Sequence, residues 1–135
     1  MCRAIALEDS EVCELPFDQL QPLLAEIPTL LRNFHRLMSQ EILREQRLIK
    51  LLGTMKANQR FAAFLVNQSS LQEQNGYSAT AFMLRMSRED IGNHLGLTIE
   101  SVSRQLSRFK ECGLINFNKR EIEILNLSSI KAMIL

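Results

Sequence analysis

The sequence lacks long apolar runs, since none approaches the roughly 20 residues that a helix needs to cross a bilayer. Its amino terminus also lacks a basic segment followed by an apolar stretch, which is the pattern of a secretion signal. The first absence excludes a membrane-spanning helix. Together the two lead us to expect no membrane partner and a cytoplasmic location.

Cysteine is scarce, with three residues at wide spacing, Cys2, Cys13 and Cys112. An odd number without a C-x-x-C pair argues against a disulfide framework and against a complete zinc site. The sequence also has no glycine-rich phosphate loop, no paired carboxylates converging from two elements, and no nucleophile beside either histidine. We therefore expect no enzymatic activity.

The composition that remains is that of an ordinary globular protein, with 46% hydrophobic and 23% charged residues among 135. The formal net charge is +1, but the charge is distributed unevenly along the chain. Residues 1–53 carry six Lys or Arg against eight Asp or Glu, whereas residues 54–135 carry ten against seven. The carboxy-terminal part is therefore the more basic one.

The first 28 residues contain all three prolines. Apolar and polar positions alternate in residues 12–15, which predicts a short strand or the remnant of one. Because a lone strand is not stable, its partners would have to come from elsewhere. We therefore interpret residues 1–27 as a strand remnant with a connecting helix, and we expect the chain to be N-terminally incomplete.

Residues 28–53 are predicted to form one long helix, with Pro28 in its first turn and Gly53 as its stop. One apolar stripe has a spacing suited to packing on its own chain, namely Leu30, Phe34, Leu37, Leu48 and Leu51. A second stripe steps by four and three, as a heptad seam does, namely Leu31, His35, Met38, Ile42, Glu45, Ile49 and Leu52. Two stripes predict a dimerisation helix, while a single wide buried face is the alternative.

Glu45 interrupts this seam. In a parallel dimer it would meet its own copy, an unfavourable pairing of like charges. The alternative is that Glu45 points outward and pairs with Arg44, Arg47 or a neighbouring chain.

Residues 54–135 contain the signals of several short elements. A helix is predicted from Ala57 to about Glu73, followed by a short apolar run of strand length in residues 81–86. Ser87 and Asp90 resemble a capping box that starts a helix, which ends at Gly96. Residues 114–117 and 121–125 alternate as the two strands of a hairpin, and a short helix is predicted for residues 128–135.

A second helix is predicted to begin only two residues after Gly96, with Thr98 as its cap. Its buried side is Val102, Leu106 and Phe109, and Gly113 ends it. Gly92 would let the two helices approach closely, and Gly96 would allow the turn between them. Two helices joined by a tight turn and followed by a hairpin are typical of a winged helix-turn-helix.

The outer side of this second helix suits contact with DNA. Arg104 can donate two hydrogen bonds to guanine, Glu100 can accept one from cytosine, and Ser103 can serve either base. Positions better placed for phosphates are Thr98, Ser101, Arg108, Lys110, Lys119 and Arg120. The alternatives are a solvated helix face, or a helix-turn-helix that binds protein.

The stretch MSREDIGNHLGLTIESVSRQLSRFKECGLI resembles the DNA-binding domain of bacterial regulators of the cyclic-AMP receptor and fumarate–nitrate reduction (FNR) superfamily. Its E-S-x-S-R run is similar to the FNR branch, in which the matching Glu, Ser and Arg read a TTGAT half-site. The resemblance implies a mainly α fold, with a long dimerisation helix followed by a winged helix-turn-helix in residues 54–135 that has a small β-wing.

As partners, the resemblance implies double-stranded DNA with a palindromic site, a homodimer, and RNA polymerase. A protein-interaction or dimerisation module that no longer binds DNA specifically is the alternative function. The FNR-type resemblance also agrees with an acidic residue at Glu45, since those proteins carry one at the matching position and dimerise weakly until the sensor is loaded.

Two features of the sequence differ from the family pattern. Gln105 stands where an apolar residue is expected, which predicts that this side of the helix is less deeply buried. VCELPF resembles the end of the family's sensor barrel, so we expect a truncated chain that lacks most of that domain.

Cys13 matches a ligand of an iron–sulfur cluster whose other three ligands lie in an N-terminal segment of FNR-type proteins. The chain cannot supply four thiolates at sensible spacing, so we expect no cofactor here and a cluster only in a longer parent protein. Cys13 is then an orphaned ligand, or simply a buried cysteine.

Overall fold

A computed structural model describes residues 5–7 and 9–134, and these described residues divide into two compact units, with the boundary between Leu51 and Leu52. The elements in chain order are α1 (Phe17–Glu26), α2 (Pro28–Thr54), α3 (Ala57–Gln74), β1 (Ala81–Met83), α4 (Arg88–Leu95), α5 (Ile99–Glu111), β2 (Ile115–Asn118), β3 (Glu121–Ile124) and α6 (Leu127–Ala132). The predicted fold class, mainly α with a small β-wing, is confirmed.

The first unit contains α1 and most of α2. The prediction of a strand at residues 12–15 is wrong for the structure described here, because these residues form no ladder with any described segment. A strand depends on a neighbour for its hydrogen bonds, and without one the alternating sequence stays irregular. Helix α1 follows directly after Pro16, and Leu24 is its buried residue.

Helix α2 has 27 residues and, among its described side chains, none that is buried. Every side chain in residues 35–47 is exposed. The first stripe is half-buried at Leu30, Phe34, Leu48 and Leu51, but Leu37 is 55% exposed. The prediction that Leu37 packs on its own chain is therefore wrong, because no described segment covers the middle of α2.

The second unit has a core in which α3 and α5 meet. The rings of Phe61 and Phe109 pack edge to face, with centroids 5.2 Å apart, a favourable geometry for two aromatic rings. The largest fully buried side chains come from every helix of the unit and from β2: Phe61, Leu65, Ile91, Leu95, Val102, Phe109, Ile115 and Ile130. This core fixes α4 and α5 against the rest of the unit.

The sheet has three antiparallel strands in the order β1-β3-β2, so the prediction of a two-stranded hairpin is incomplete. The hairpin pairs Phe117 with Ile122, and β1 adds Phe82 on the other side of Ile122. Ile122 and Ile124 point into the core, while Glu121 and Glu123 alternate outward. β1 joins because the middle strand offers a second hydrogen-bonding edge, which the sequence of the hairpin does not reveal.

Candidate nucleic-acid interface

Helix α4 begins at the capping box that the sequence predicts. The Ser87 hydroxyl oxygen accepts a hydrogen bond from the Asp90 backbone N–H at 3.1 Å. The Asp90 carboxylate accepts bonds from the Ser87 hydroxyl at 2.6 Å and from the Ser87 N–H at 2.9 Å. These bonds, and to a lesser degree the charge of Arg120, lower the pKa of Asp90 below the ordinary value of an aspartate. The start of α4 is therefore fixed by a charged cap.

The turn between α4 and α5 depends on two glycines. Gly96 caps α4 in the left-handed conformation, with φ of 61°, which glycine adopts without steric cost. A Cβ atom on Gly92 would lie only 2.6 Å from the carbonyl oxygen of Leu97. The Leu97 N–H donates to the Gly92 carbonyl at 2.8 Å. The close approach predicted for Gly92 is thus present.

Arg60 on α3 also holds this turn in place through hydrogen bonds. This residue was not identified from the sequence. Its Nη1 donates to the carbonyls of Leu95 at 3.1 Å and Gly96 at 3.5 Å. Its Nη2 donates to Leu52 at 2.7 Å and its Nε to Met55 at 2.9 Å. One guanidinium therefore satisfies carbonyls at the ends of two helices, where no intrahelical donor is available. No local sequence signal identifies these partners, since Leu95 lies 35 positions away.

Helix α5 begins at Thr98, whose hydroxyl oxygen accepts a bond from the Ser101 N–H at 3.2 Å. Thr98 and Ser101 therefore serve as the cap in the free chain. The inward side of α5 comprises Val102, Gln105, Leu106 and Phe109, all buried. These positions follow the i, i+3, i+4, i+7 spacing of one helix face.

Gln105 is 8% exposed, so the prediction that this side of the helix is less deeply buried is wrong. Position 105 lies within the buried stripe, and the helix geometry buries whatever side chain stands there. Its Oε1 atom has no hydrogen-bond partner among the described residues.

The outward side of α5 presents the predicted base-reading residues together. Glu100 and Arg104 are exposed, and Ser103 is half-buried. Hydrogen bonds from the Glu100 backbone N–H and then from the Thr98 hydroxyl lower the pKa of Glu100, and like an ordinary glutamate this side chain is a carboxylate at neutral pH. The three side chains thus offer an acceptor, a hydroxyl and a guanidinium on one exposed surface.

Arg88, the first residue of α4, is a second residue that sequence reasoning missed. Its Nη1 donates to the Ser103 hydroxyl oxygen at 3.1 Å, which links the start of α4 to the middle of α5. The positive charge of Arg88 and its position beside the cap can be read from the sequence, but its hydrogen-bond partner cannot.

The wing lies beside α5 and α4. The ammonium of Lys110 stands 5.1 Å from the centre of the Phe117 ring, a cation–π contact between α5 and β2. Lys119 turns the hairpin with a positive φ of 54°. A cleft of about 300 Å³ brings Lys119 and Arg120 together with Arg88. Of the predicted phosphate contacts, Ser101 is half-buried, and the others are exposed: Thr98, Arg108, Lys110, Lys119 and Arg120.

The predicted seam residues show a graded exposure. Met38 is 46% exposed, Ile42 59% and Ile49 69%. Leu31 and Leu52 are half-buried, and Glu45 is exposed. Arg44, an alternative partner for Glu45, forms an ion pair of 3.8 Å with Glu41.

Cys13 is exposed, which contradicts its interpretation as a plain buried cysteine. Within residues 5–7 and 9–134, no three His, Cys, Asp or Glu side chains are grouped so that they could hold a metal ion. The described residues therefore do not form an iron–sulfur site, and Cys2 lies outside them. No helix in the described part of the chain has the length and apolar character to span a membrane.

The sequence of residues 59–133 matches the family described as the Crp-like helix-turn-helix domain. The chain is 48% identical over 131 residues to the transcriptional regulatory protein btr of Bordetella pertussis, which covers 97% of this chain and 54% of that protein. It is 45% identical over 130 residues to the transcriptional activator protein anr of Pseudomonas aeruginosa, covering 96% of this chain and 53% of that protein.

Among solved structures, FixK2 from Bradyrhizobium japonicum is similar, with a TM-score of 0.77 and 29% identity over 86% of this chain and 57% of that chain. The chain spans about half the length of the relatives it matches. The matched domain, the similarity to regulators of the FNR and Anr type and the shared fold show that this chain belongs to the Crp/FNR family of transcription regulators.

Proposed function

We propose that this chain binds DNA sequence-specifically as an FNR-type transcription regulator, recognising a palindromic TTGAT-like site as a homodimer through residues 98–111. One observation carries the proposal: α5 is anchored by its buried stripe and leaves Glu100, Ser103 and Arg104 on its outward side. A helix of roughly 10–12 Å diameter fits the major groove, which is about 12 Å wide.

Base recognition would come from the three outward side chains. Arg104 can donate two hydrogen bonds to O6 and N7 of guanine, and the Glu100 carboxylate can accept one from N4 of cytosine. The Glu100 carboxylate suits this role, since an ionised carboxyl group accepts hydrogen bonds at both oxygens and donates none. Ser103 would contact the neighbouring base pair.

Phosphate contacts would orient the helix in the groove without reading sequence. Lys119 and Arg120 of the wing turn and Arg88 at the start of α4 line one cleft. This arrangement suits a DNA phosphate backbone that passes between the wing and α4. The residues we assign to phosphates are Thr98, Ser101, Arg108, Lys110, Lys119 and Arg120. Thr98 and Ser101 would do so through their hydroxyl groups at the start of α5, where the helix dipole favours anions.

A second copy of the chain would cover the seam of α2. Its exposed apolar side chains are not covered by the described residues, and a patch of this kind marks an interaction surface. The interface residues we assign are Leu31, Met38, Ile42, Glu45, Ile49 and Leu52. Family resemblance adds RNA polymerase as a further partner, and a bacterial regulator that binds DNA would act in the cytoplasm.

The chain would act in this way without catalysis and without a cofactor of its own. An iron–sulfur cluster on Cys13 would need three more thiolates, and the described residues provide no group that holds a metal. We therefore derive no step of DNA recognition from a cluster.

The test is a fluorescence-anisotropy titration of the chain with a palindromic TTGAT duplex and with a scrambled duplex, at several salt concentrations. We expect tighter binding to the palindrome, and an affinity for both duplexes that falls steeply with salt as phosphate counterions are released. Equal affinity for the two duplexes would contradict the proposal and favour an interaction module without DNA specificity.

Two variants separate base reading from phosphate binding. Arg104→Ala should weaken specific binding by roughly 1–3 kcal/mol and flatten the preference at one base pair. Lys119→Ala should weaken binding to all sequences alike. An unchanged preference in Arg104→Ala would show that α5 is not the recognition helix.

A further inference from the structure

Arg88 and Ser103 form a contact between the two helices of the helix-turn-helix. Arg88 is the first residue of α4, and its Nη1 donates to the Ser103 hydroxyl oxygen on α5 at 3.1 Å. The backbone that carries Arg88 is fixed by the capping box of Ser87 and Asp90. The guanidinium therefore approaches Ser103 from a rigid starting point.

The chemistry of the two groups determines which of them donates the hydrogen bond. A serine hydroxyl has one proton to donate and lone pairs that accept, whereas a guanidinium only donates. When Arg88 donates to Ser103, the hydroxyl proton is directed away from Arg88. A free serine can serve a base as donor or as acceptor. A serine held in this way has one lone pair occupied by a cationic donor, which favours donation of its own proton over acceptance of a second bond.

The edges of DNA bases differ in this respect. In the major groove, thymine O4, guanine O6 and the purine N7 atoms accept hydrogen bonds, whereas cytosine N4 and adenine N6 donate them. A hydroxyl biased towards donation would favour the accepting atoms. Ser103 alone would have little power to discriminate between the two kinds of edge.

We propose that Arg88 is a specificity-determining positioning residue, which biases Ser103 towards hydrogen-bond donation so that it selects an acceptor edge in the major groove. The inference rests on the proposed DNA-binding function and deepens it. Arg88 acts through Ser103, and it reads no base itself.

The test measures base preference with duplexes in which each half-site base pair is replaced symmetrically by the other three. Ser103→Ala first identifies the base pair that Ser103 contacts, since the preference falls there. In the wild type we expect the affinity to be roughly 3- to 10-fold higher when the base at this pair presents an acceptor edge than when it presents a donor edge. This factor is the range of one neutral hydrogen bond.

Arg88→Met, which keeps an unbranched stem and removes the donor, should reduce this ratio towards that of Ser103→Ala. It should leave the preference at the pair contacted by Arg104 unchanged. In a Ser103→Ala background, Arg88→Met should produce no further change in the ratio, because the effect passes through the hydroxyl. Arg108→Met is the matched control, since it removes an exposed cation from α5 and should weaken all duplexes by one factor.

Three results would overturn the inference. Arg88→Met could behave as Arg108→Met does, which would leave only a phosphate contact. It could still flatten the preference in the Ser103→Ala background, which would show that Arg88 does not act through Ser103. The wild type could prefer a donor edge at this pair, which would make Ser103 an acceptor. A wild type that does not distinguish the palindrome from the scrambled duplex is a separate outcome and overturns the proposed function together with the inference.

Discussion

Replacing Gly92 with alanine tests the close contact that sets the angle between α4 and α5. The new Cβ would lie 2.6 Å from the Leu97 carbonyl oxygen, well inside a normal C···O contact of roughly 3.3–3.6 Å. The neighbour is backbone, and Leu97 is itself held by a 2.8 Å hydrogen bond to the Gly92 carbonyl. Relief therefore requires the turn and the start of α5 to move.

Two effects oppose each other in this variant. Alanine in a helix is favoured over glycine by up to about 1 kcal/mol, whereas forcing an extra carbon into a packed site typically costs about 1–3 kcal/mol. Because the contact is with fixed backbone, we expect the steric cost to prevail. Gly92→Ala should lower the free energy of unfolding by about 1–2 kcal/mol, or roughly 4–8 °C in Tm for each kcal/mol.

Gly53→Ala is the matched control. It makes the same chemical change in the same unit of the chain, within helix α2, but its Cβ would meet nothing within 4 Å. It should raise the free energy of unfolding by about 0.5–1 kcal/mol. Urea denaturation followed by circular dichroism would compare the two variants. A Gly92→Ala protein as stable as Gly53→Ala would show that the turn relaxes freely and would refute the reasoning.

Three further predictions concern buried polarity, pH and the seam. Gln105→Leu removes a buried oxygen that has no hydrogen-bond partner among the described residues, and it should stabilise the second unit by about 1–3 kcal/mol in urea denaturation; a loss of stability would contradict this reasoning. Ser87→Ala should raise the pKa of Asp90 in an NMR titration, because its bonds to Ser87 hold that pKa down. The stabilisation from the Asp90 charge is full above about pH 4 and is lost as pH falls through the lowered pKa, so the difference in stability between wild type and variant should narrow in acid to the contribution of the cap bond to the Asp90 N–H; an unshifted titration would contradict this. Glu45→Ala should tighten self-association in sedimentation equilibrium, since it removes a like-charge pair from the seam; equal association constants would remove Glu45 from the interface.

Short-range physics explains what the sequence determined. Helices α4 and α5 begin at Ser87 and Thr98, as predicted, because a cap satisfies backbone N–H groups within three residues of itself. Gly96 adopts the left-handed conformation and ends α4 for an equally local reason. The buried positions Val102, Leu106 and Phe109 follow from helical spacing alone. The exposed side of α5, and with it the candidate interface, could therefore be located before the structure was known.

Contacts between distant parts of the chain were decided by the tertiary structure. β1 pairs with β3 across some forty positions, and Arg60 binds carbonyls at the ends of two other helices. Arg88 reaches Ser103 only because α4 and α5 pack at one angle. Gln105 is buried although its polarity indicated the opposite. Each of these contacts depends on which surfaces of the chain meet in the folded protein. A local sequence pattern indicates whether a surface is apolar or polar, but it does not specify which segment covers that surface.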